Sequence, residues 1–581
     1  MWRFGSICSF LLFISTSSVQ AKDYRRLSLN EIVEEMYELE RLHPNFVTVT
    51  TSQEKYSLSK TCDQEENRCY NHLLFIEDPF IYSHRRARRA KKERPDVLIS
   101  GALHGNERVG PVASLETAKL LATAATCESG LASPEVDCIS FYEKHSKRQI
   151  VWLARLVSTR RVIIVPTANQ WGYHYNSRYE GSFDPNRDFP FDQTSKESSL
   201  CMRTIAARTL NEIFLDHLIQ MSVTFHAGME SITYEWGAQS VPNNKLSPDY
   251  YAEDTIARGL SNFAGKLSTN TKYQYGDANS IVYAIRGGFE DYAYASSWSD
   301  LVNVCNPTTY GGYDKSKTLY DSVTLRTYNF LVETSNSKNP SDNALGSDNN
   351  LFTAPFVYDN NTDNGYVAKS IRIALMAIDV VEPYVEIVQV RSKEFMSELK
   401  PGTQLRNRWS RGKKKIKSRS SQRPIVRWTV GGSFTVDQTF LIYGPWSQLP
   451  KYFDSIRQLK KFQIEKVLND QSFSKSEIQS GTTKWFQDDS DIGTEQEFSA
   501  KLNLKNFSIG TKIAVYAVAK VDQSWQNRPD AVWPDVSPQS HMANGRTNTG
   551  YVAKKSSGAN DRIVQGRQIW ISIPLTIEIT A

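Results

Sequence analysis

Two side chains that bind metal ions well stand three positions apart in VLISGALHGNERVGP, residues 97–111: His104 and Glu107. Gly101 and Gly105 flank the histidine, which puts the pair in a turn directly after an apolar run. A second histidine, His226, ends another apolar run, MSVTFHAG. Two imidazoles and one carboxylate leave one tetrahedral position open, which is how catalytic zinc is held. The pair alone is a weak signal in a chain with nine histidines, because His104 could equally be a hydrogen-bonded polar residue at a strand end. A further carboxylate, Glu333 in YNFLVETS, occupies the same kind of position at the end of an apolar run. Metal chemistry requires the fold to bring these distant strand ends together.

Periodicity identifies the elements that could do so. LNEIVEEMYELERLHP has apolar residues at helical spacing and is stopped by Pro44. FVTVTT and HLLFIED have strand character. DVLISGALHG and RVIIVPTANQWG are continuous apolar runs entering loops, as central strands of a mixed sheet do. GPVASLETAKLLATAA and NGYVAKSIRIALMAIDVVEP read as helices. This alternation predicts an α/β fold over residues 22–391, a mixed open twisted sheet with helices on both faces. Polar residues at successive strand ends would then line the sheet edge where such folds hold ligands. From residue 392 the character changes: a basic, serine-rich linker (392–424) leads into segments alternating at strand period. These predict a C-terminal all-β, sandwich-like module over 425–581, with one helical excursion at FDSIRQLKKFQIEKVL.

The chain of 581 residues is too long for one core, and 40% hydrophobic with 23% charged residues is ordinary for globular domains. The net charge of +6 is partly local, in HRRARRAKKER (84–94) and RNRWSRGKKKIKSR (406–419). No aromatic-interleaved nucleic-acid motif accompanies either run, so no nucleic-acid partner is expected. The first run reads as a solvated loop, with processing by a protease as the alternative. The opening MWRFGSICSFLLFISTSSVQA has the layout of a secretory leader, residues 1–21. No later segment is apolar for long enough to cross a bilayer, so a soluble secreted, extracellular or lysosome-like lumenal protein is expected. Six cysteines remain after the leader, and none forms a C-x-x-C pair. Close spacing favours Cys62–Cys69 and Cys127–Cys138, leaving Cys201–Cys305, among about 15 possible connectivities. Asn360 and Asn506 open glycosylation sequons.

HGNE with a distant TFHAG resembles the zinc carboxypeptidases of the pancreatic-carboxypeptidase fold, and further motifs follow in the family's order. DPNRDFP supplies Asn186 and Arg187, similar to the family's Asn-Arg pair. Arg178, upstream in NSRYEGSFDPNR, stands near the place of its oxyanion arginine. SIVYAIRGGFEDYAY supplies Tyr283, four residues before Gly287-Gly288, like the family's mobile tyrosine. Glu333 in FLVETS resembles its catalytic glutamate. The resemblance implies one Zn²⁺ held by His104, Glu107 and His226, with Glu333 as general base then acid. It also implies Arg178 at the oxyanion, and Arg187, Asn186 and Tyr283 on the substrate's C-terminal carboxylate. Peptide and protein C-termini are the implied partners.

Glu290 in GGFED stands where relatives place a pocket-floor specificity residue, which would favour C-terminal Lys or Arg; the alternative is pairing with Arg286. The other acidic pocket position of the regulatory branch is Gly237 here, a departure from that pattern, and Asp291 reads as structural. The first helix begins shortly after the leader, so no globular pro-segment is expected. The layout resembles the regulatory branch, which carries a β-sandwich after the catalytic domain, although this one is longer and shows no binding motif. A catalytically inactive relative that binds peptides or surfaces is the competing reading. The presence of Glu333, Arg178 and all three ligands weighs against it.

Overall fold

A computed structural model of the chain describes, in the N-terminal two-thirds, residues 21–62, 65, 69–78, 96–194, 200–217, 219–242, 246–247, 250–296, 299, 301–318, 327–349, 351–352, 364–379 and 381. Beyond these it describes 384–391, 396–398, 416–419, 423–431, 438–448, 473–476, 496–520, 569–571 and 575–580. The leader up to residue 20, the basic run 84–94, Asn360, the segment FDSIRQLKKFQIEKVL and most of the basic linker lie outside the described residues.

Eight strands form the first sheet: β1 (Val47–Thr51), β2 (His72–Ile76), β3 (Asp96–Gly101), β4 (Arg161–Val165), β5 (Ile219–His226), β6 (Met229–Tyr234), β7 (Gln274–Asp277) and β8 (Tyr328–Ser335). Their order is β1-β2-β4-β3-β5-β8-β6-β7. The four central strands β4, β3, β5 and β8 run parallel, while β2 and β6 pair antiparallel at the flanks. Parallel strands need both faces covered. Successive side chains on a strand point to opposite faces, and the core sorts accordingly. Val97 and Ile99 of β3 join one cluster, with Leu115 and Leu121 of the helix Val109–Ser129, Leu153 of Lys147–Thr159, Leu260 of Tyr250–Ala264 and Leu375 of Gly365–Asp379. Leu98, between them, joins the other, with Leu210 and Ile213 of Ile205–Asp216 and Phe289 and Tyr292 of Phe289–Ala295. The predicted mixed sheet with helices on both faces is thus present.

Local signals set the helix ends. Leu29–Leu42 opens with a capping box in which Ser28 and Glu31 each accept from the other's backbone N–H. Val109–Ser129 closes on Gly130 at φ 68°, a left-handed cap that suits glycine. The cysteines pair Cys62–Cys69, Cys127–Cys138 and Cys201–Cys305, with Cα–Cα separations of 5.7, 5.5 and 5.8 Å, as their spacing favoured.

The C-terminal strands build two further sheets. One has the order β10-β9-β12-β15: Met396–Glu398 (β10), Tyr384–Arg391 (β9), Ile425–Gly431 (β12) and Gln496–Lys501 (β15). The other contains β11 (Ile416–Arg419), β18 (Leu575–Thr580), β16 (Lys512–Lys520), β13 (Gln438–Pro445) and β14 (Ser474–Ser476), with β17 (Ile569–Ile571) also on β16. Pairing is antiparallel except between β11 and β18. Both sheets feed one core: Ile387, Val426, Trp428 and Phe498 from the first meet Leu441, Val515 and Ile577 from the second. That is a sandwich. Its strand β9 comes from residues that the sequence pattern placed in the preceding α/β region; pairing with β12 puts them in the sandwich.

Ile99 is fully buried at the middle of β3, between β4 and β5. Ile99→Ala is expected to cost roughly 2–5 kcal/mol. The check is chemical denaturation: the midpoint should fall with no change in slope.

Candidate active site

The strand ends converge at the carboxyl edge of the parallel strands. Gly101 of β3 is in register with Phe225 of β5, and His226 at the end of β5 is in register with Glu333 of β8. The turn after β3 carries His104 and Glu107 to this edge. Gly105 is required there, since a Cβ would lie 2.0 Å from the backbone carbon of Gly172. His104, Glu107 and His226 are all buried, and their ligand atoms lie within 4.8 Å of one another. His104 Nδ1 is 3.0 Å from Glu107 Oε1, His226 Nδ1 is 3.0 Å from Glu107 Oε2, and the two Nδ1 atoms are 3.2 Å apart. His226 Nε2 and Glu333 Oε2 are buried without hydrogen-bond partners. Burial pushes the Glu333 pKa above the ordinary carboxylate value, and the Glu107 charge adds to this.

The loop between β4 and the helix Ile205–Asp216 supplies the flank. Asp184 Oδ1 is 3.1 Å from His104 Nε2, and its Oδ2 accepts from Arg178 Nε at 2.9 Å. Burial alone would raise the Asp184 pKa; the hydrogen bond with His104 and the charges of His104 and Arg178 outweigh it and hold the group well below the usual range. Arg178 Nη1 reaches 3.3 Å from His104 Nδ1, so this arginine stands against the ligand cluster. Asn186 faces inward, with its side-chain oxygen accepting from Phe289 N at 2.8 Å and its amide donating to Glu290 Oε1 at 2.9 Å. Arg187 donates to its neighbour's carbonyl at 2.7 Å and to Tyr283 Oη at 3.3 Å, and Tyr283 is exposed. Gly287, at φ 67°, locks this loop to the tyrosine segment: a Cβ would fall 2.3 Å from the Arg187 carbonyl oxygen. All nine residues singled out in the sequence therefore belong to one connected region. Arg286 does not pair with Glu290; it binds Asp192 at 2.8 Å.

The zinc carboxypeptidase family model matches residues 32–311, a span that includes His104, Glu107, Arg178, Asn186, Arg187, His226, Tyr283 and Glu290. Over that span the chain is similar to the zinc carboxypeptidases. Carboxypeptidase B of Astacus astacus is 24% identical over 262 residues, which are 39% of this chain and 76% of that protein. Among solved structures, thrombin activatable fibrinolysis inhibitor overlaps 61% of this chain and 75% of its own, at 14% identity and a TM-score of 0.39. Carboxypeptidase A from Helicoverpa armigera overlaps 61% and 74%, at 16% identity and a TM-score of 0.36.

The residues present fit the zinc that the family uses. Tetrahedral bonds of about 2.0–2.1 Å subtend edges of roughly 3.3 Å; the three ligand separations are 3.0, 3.0 and 3.2 Å. The Asp184 contact on Nε2 leaves Nδ1 of His104 as the inward nitrogen. Two residues of this site carry little or no signal in the sequence. Asp184 could have been suspected, two places before Asn186 in the same motif. Lys338 gave no signal; its Nζ is 2.7 Å from Glu107 Oε1.

Glu180 fixes the loop that bears Arg178. Fully buried, it accepts from Ile205 N at 2.6 Å and Ala206 N at 2.9 Å, at the first turn of Ile205–Asp216. It also lies near Cys62 and Cys69, but these form a disulfide and cannot ligate a metal. Burial pushes its pKa up to about 7 against the lowering effect of the two N–H groups, and Asp188 adds to the rise. A folded value above the unfolded one gives stability that is complete below pH ~4.5 and lost as pH rises through ~7.

Two outcomes follow from this geometry. Asp184→Asn should weaken zinc binding by about 10- to 100-fold, read by competition with a chromogenic chelator. The melting temperature of the wild type should fall between pH 5 and 8, and Glu180→Gln should flatten that slope by an amount on the order of 3 kcal/mol at its upper end, read by thermal unfolding across that range.

Proposed function

We propose that the chain is a secreted zinc-dependent exopeptidase that hydrolyses the C-terminal peptide bond of peptides and proteins, favouring basic C-terminal residues. One observation carries this: His104, Glu107 and His226 converge on one point, with Glu333 in register beside His226 and two arginines on the flank. Zinc held by those three residues would supply Lewis acidity toward water and the scissile carbonyl. Glu333 Oε2, buried and without a partner, takes the attacking water's proton and returns it to the leaving amine. Arg178, oriented by Asp184, stands where the carbonyl oxygen gains negative charge. Arg187 binds the free carboxylate, and exposed Tyr283, already in contact with it, is placed to close over the substrate. Asn186 supports this loop from below, as well as bearing an amide hydrogen for the carboxylate.

The three disulfides support passage through an oxidising compartment, in keeping with the leader-like start. Among the described residues, no helix is long and apolar enough to cross a membrane. The sandwich after the α/β region supports kinship with the regulatory branch, where it would brace the catalytic domain or restrict its cleft.

The inactive, peptide-binding reading is favoured by one feature. Lys338 puts a cation beside Glu107, where it opposes a divalent ion. Its side chain is 39% exposed, so it can swing into solvent as the metal enters.

Turnover separates the readings. The wild type should release C-terminal residues, Lys and Arg fastest, from a peptide library, and a zinc chelator should stop it. Glu333→Gln should lower kcat by at least about 1,000-fold while retaining zinc. No release by folded, zinc-loaded wild type would select the binding-protein reading.

A further inference from the structure

A group of carboxylates that the reaction itself does not use is joined to the arginine loop through Asn186. Glu235 follows β6 directly and is 1% exposed, and neither of its carboxylate oxygens has a hydrogen-bond partner. Glu253, Asp291 and Glu290 are near enough to act on it as like charges. Each of these three is already held. Glu253 accepts from the Ser247 hydroxyl, Asp291 Oδ1 accepts from Gly237 N at 3.0 Å, and Glu290 Oε1 accepts from Asn186 at 2.9 Å. Glu235 alone of the four has neither carboxylate oxygen in a hydrogen bond to another residue. A buried carboxylate without a donor is costly unless it is neutral or a cation reaches it, and its burial together with its acidic neighbours holds its pKa well above the ordinary value while it stays unpartnered.

The location ties this group to the substrate. Glu290 is joined through Asn186 to Arg187, the proposed holder of the C-terminal carboxylate. Gly237, two residues past Glu235, brings the chain against Asp291: a Cβ there would be 3.3 Å from Asp291 Oδ2. The group is too open to chelate an ion, since among the described residues only the zinc-ligand set and the Cys62–Cys69–Glu180 set bring three donors within 4.8 Å. A larger organic cation on a long stem suits it better.

We propose that Glu235, rather than Glu290, is the acceptor for the positive charge of the substrate's C-terminal side chain, an inference that rests on the exopeptidase reading. Glu290 acts as a positioning residue that holds Asn186 and the loop of Arg187. The ligand is the ammonium of lysine or the guanidinium of arginine, entering side chain first with its carboxylate on Arg187.

The test uses the full chain and two peptides identical except for a C-terminal lysine or its uncharged analogue norleucine. Wild type should prefer lysine by about 100-fold or more in kcat/KM. Glu235→Gln should reduce that ratio at least tenfold, and Glu235→Asp should restore part of it. Glu290→Gln should lower both rates together and leave the ratio within about threefold. A folded Glu235→Gln enzyme with the wild-type ratio overturns the proposal, as does wild type that cleaves norleucine as readily as lysine; the exopeptidase reading survives both. If wild type cleaves neither peptide, that reading fails. Calorimetric binding of the same peptides then decides: tighter lysine binding that Glu235→Gln abolishes supports the site, and equal binding removes it. If Glu235→Gln does not fold, Glu235→Asp carries the measurement, with an unchanged ratio counting against the proposal.

Discussion

Two imidazole nitrogens 3.2 Å apart, with a carboxylate 3.0 Å from each, form an arrangement that only a cation or a shared proton makes favourable. Left to itself, a flexible chain would spread such groups and hydrate them. Here they are buried, and the chain has no freedom to spread them. His226 ends a strand flanked on both sides by parallel neighbours, and His104 follows the next strand over by three residues. The central strands are covered on both faces by helices, so moving either histidine means disturbing one of two packed cores. The stability of the sheet is what lets the site keep an uncomfortable geometry.

Charge is layered around that point. Arg178 and Arg187, the proposed partners of a carbonyl oxygen and a carboxylate, are each oriented by a neighbour: Asp184 for the first, a backbone carbonyl and Tyr283 for the second. Carboxylates collect around Glu235, in Glu253, Glu290 and Asp291. A peptide end carries its negative charge on the main chain and, in lysine or arginine, its positive charge several bonds away on the side chain. The proposed substrate pose puts the first on Arg187 and the second on Glu235. Asn186 spans the two zones, linking the arginine loop to Glu290.

Much of the catalytic region is legible in the order of the residues. The apolar runs at 97–101, 221–226 and 328–333 mark three strands and put a polar group at each end. The motifs that resemble the zinc carboxypeptidases stand in that family's order, and the close cysteine pairs point to two disulfides and leave the third. Pairing across long separations is not legible. The sequence offers Glu290 a basic substrate side chain or Arg286, and the structure gives it a different partner, Asn186, 104 positions away. Arg286 binds Asp192, 94 positions away. The sequence reading puts residues 384–391 in the α/β region without marking a strand there, and only the hydrogen bonding to β12 and β10 makes them part of the sandwich.

By itself, then, the sequence determined which residue types are available, in what order, and on what kind of element each would sit. Those properties depend on local backbone preference and on the alternation of apolar side chains, which act over a few residues. Tertiary structure decided which of the available groups meet. It turned His104 inward by placing Asp184 on its far nitrogen, brought Lys338 beside Glu107, and gave Glu290 a partner while leaving Glu235 without one. Each outcome depends on distances of a few ångströms between segments dozens to hundreds of residues apart. Only the packing of both cores around one sheet sets those distances.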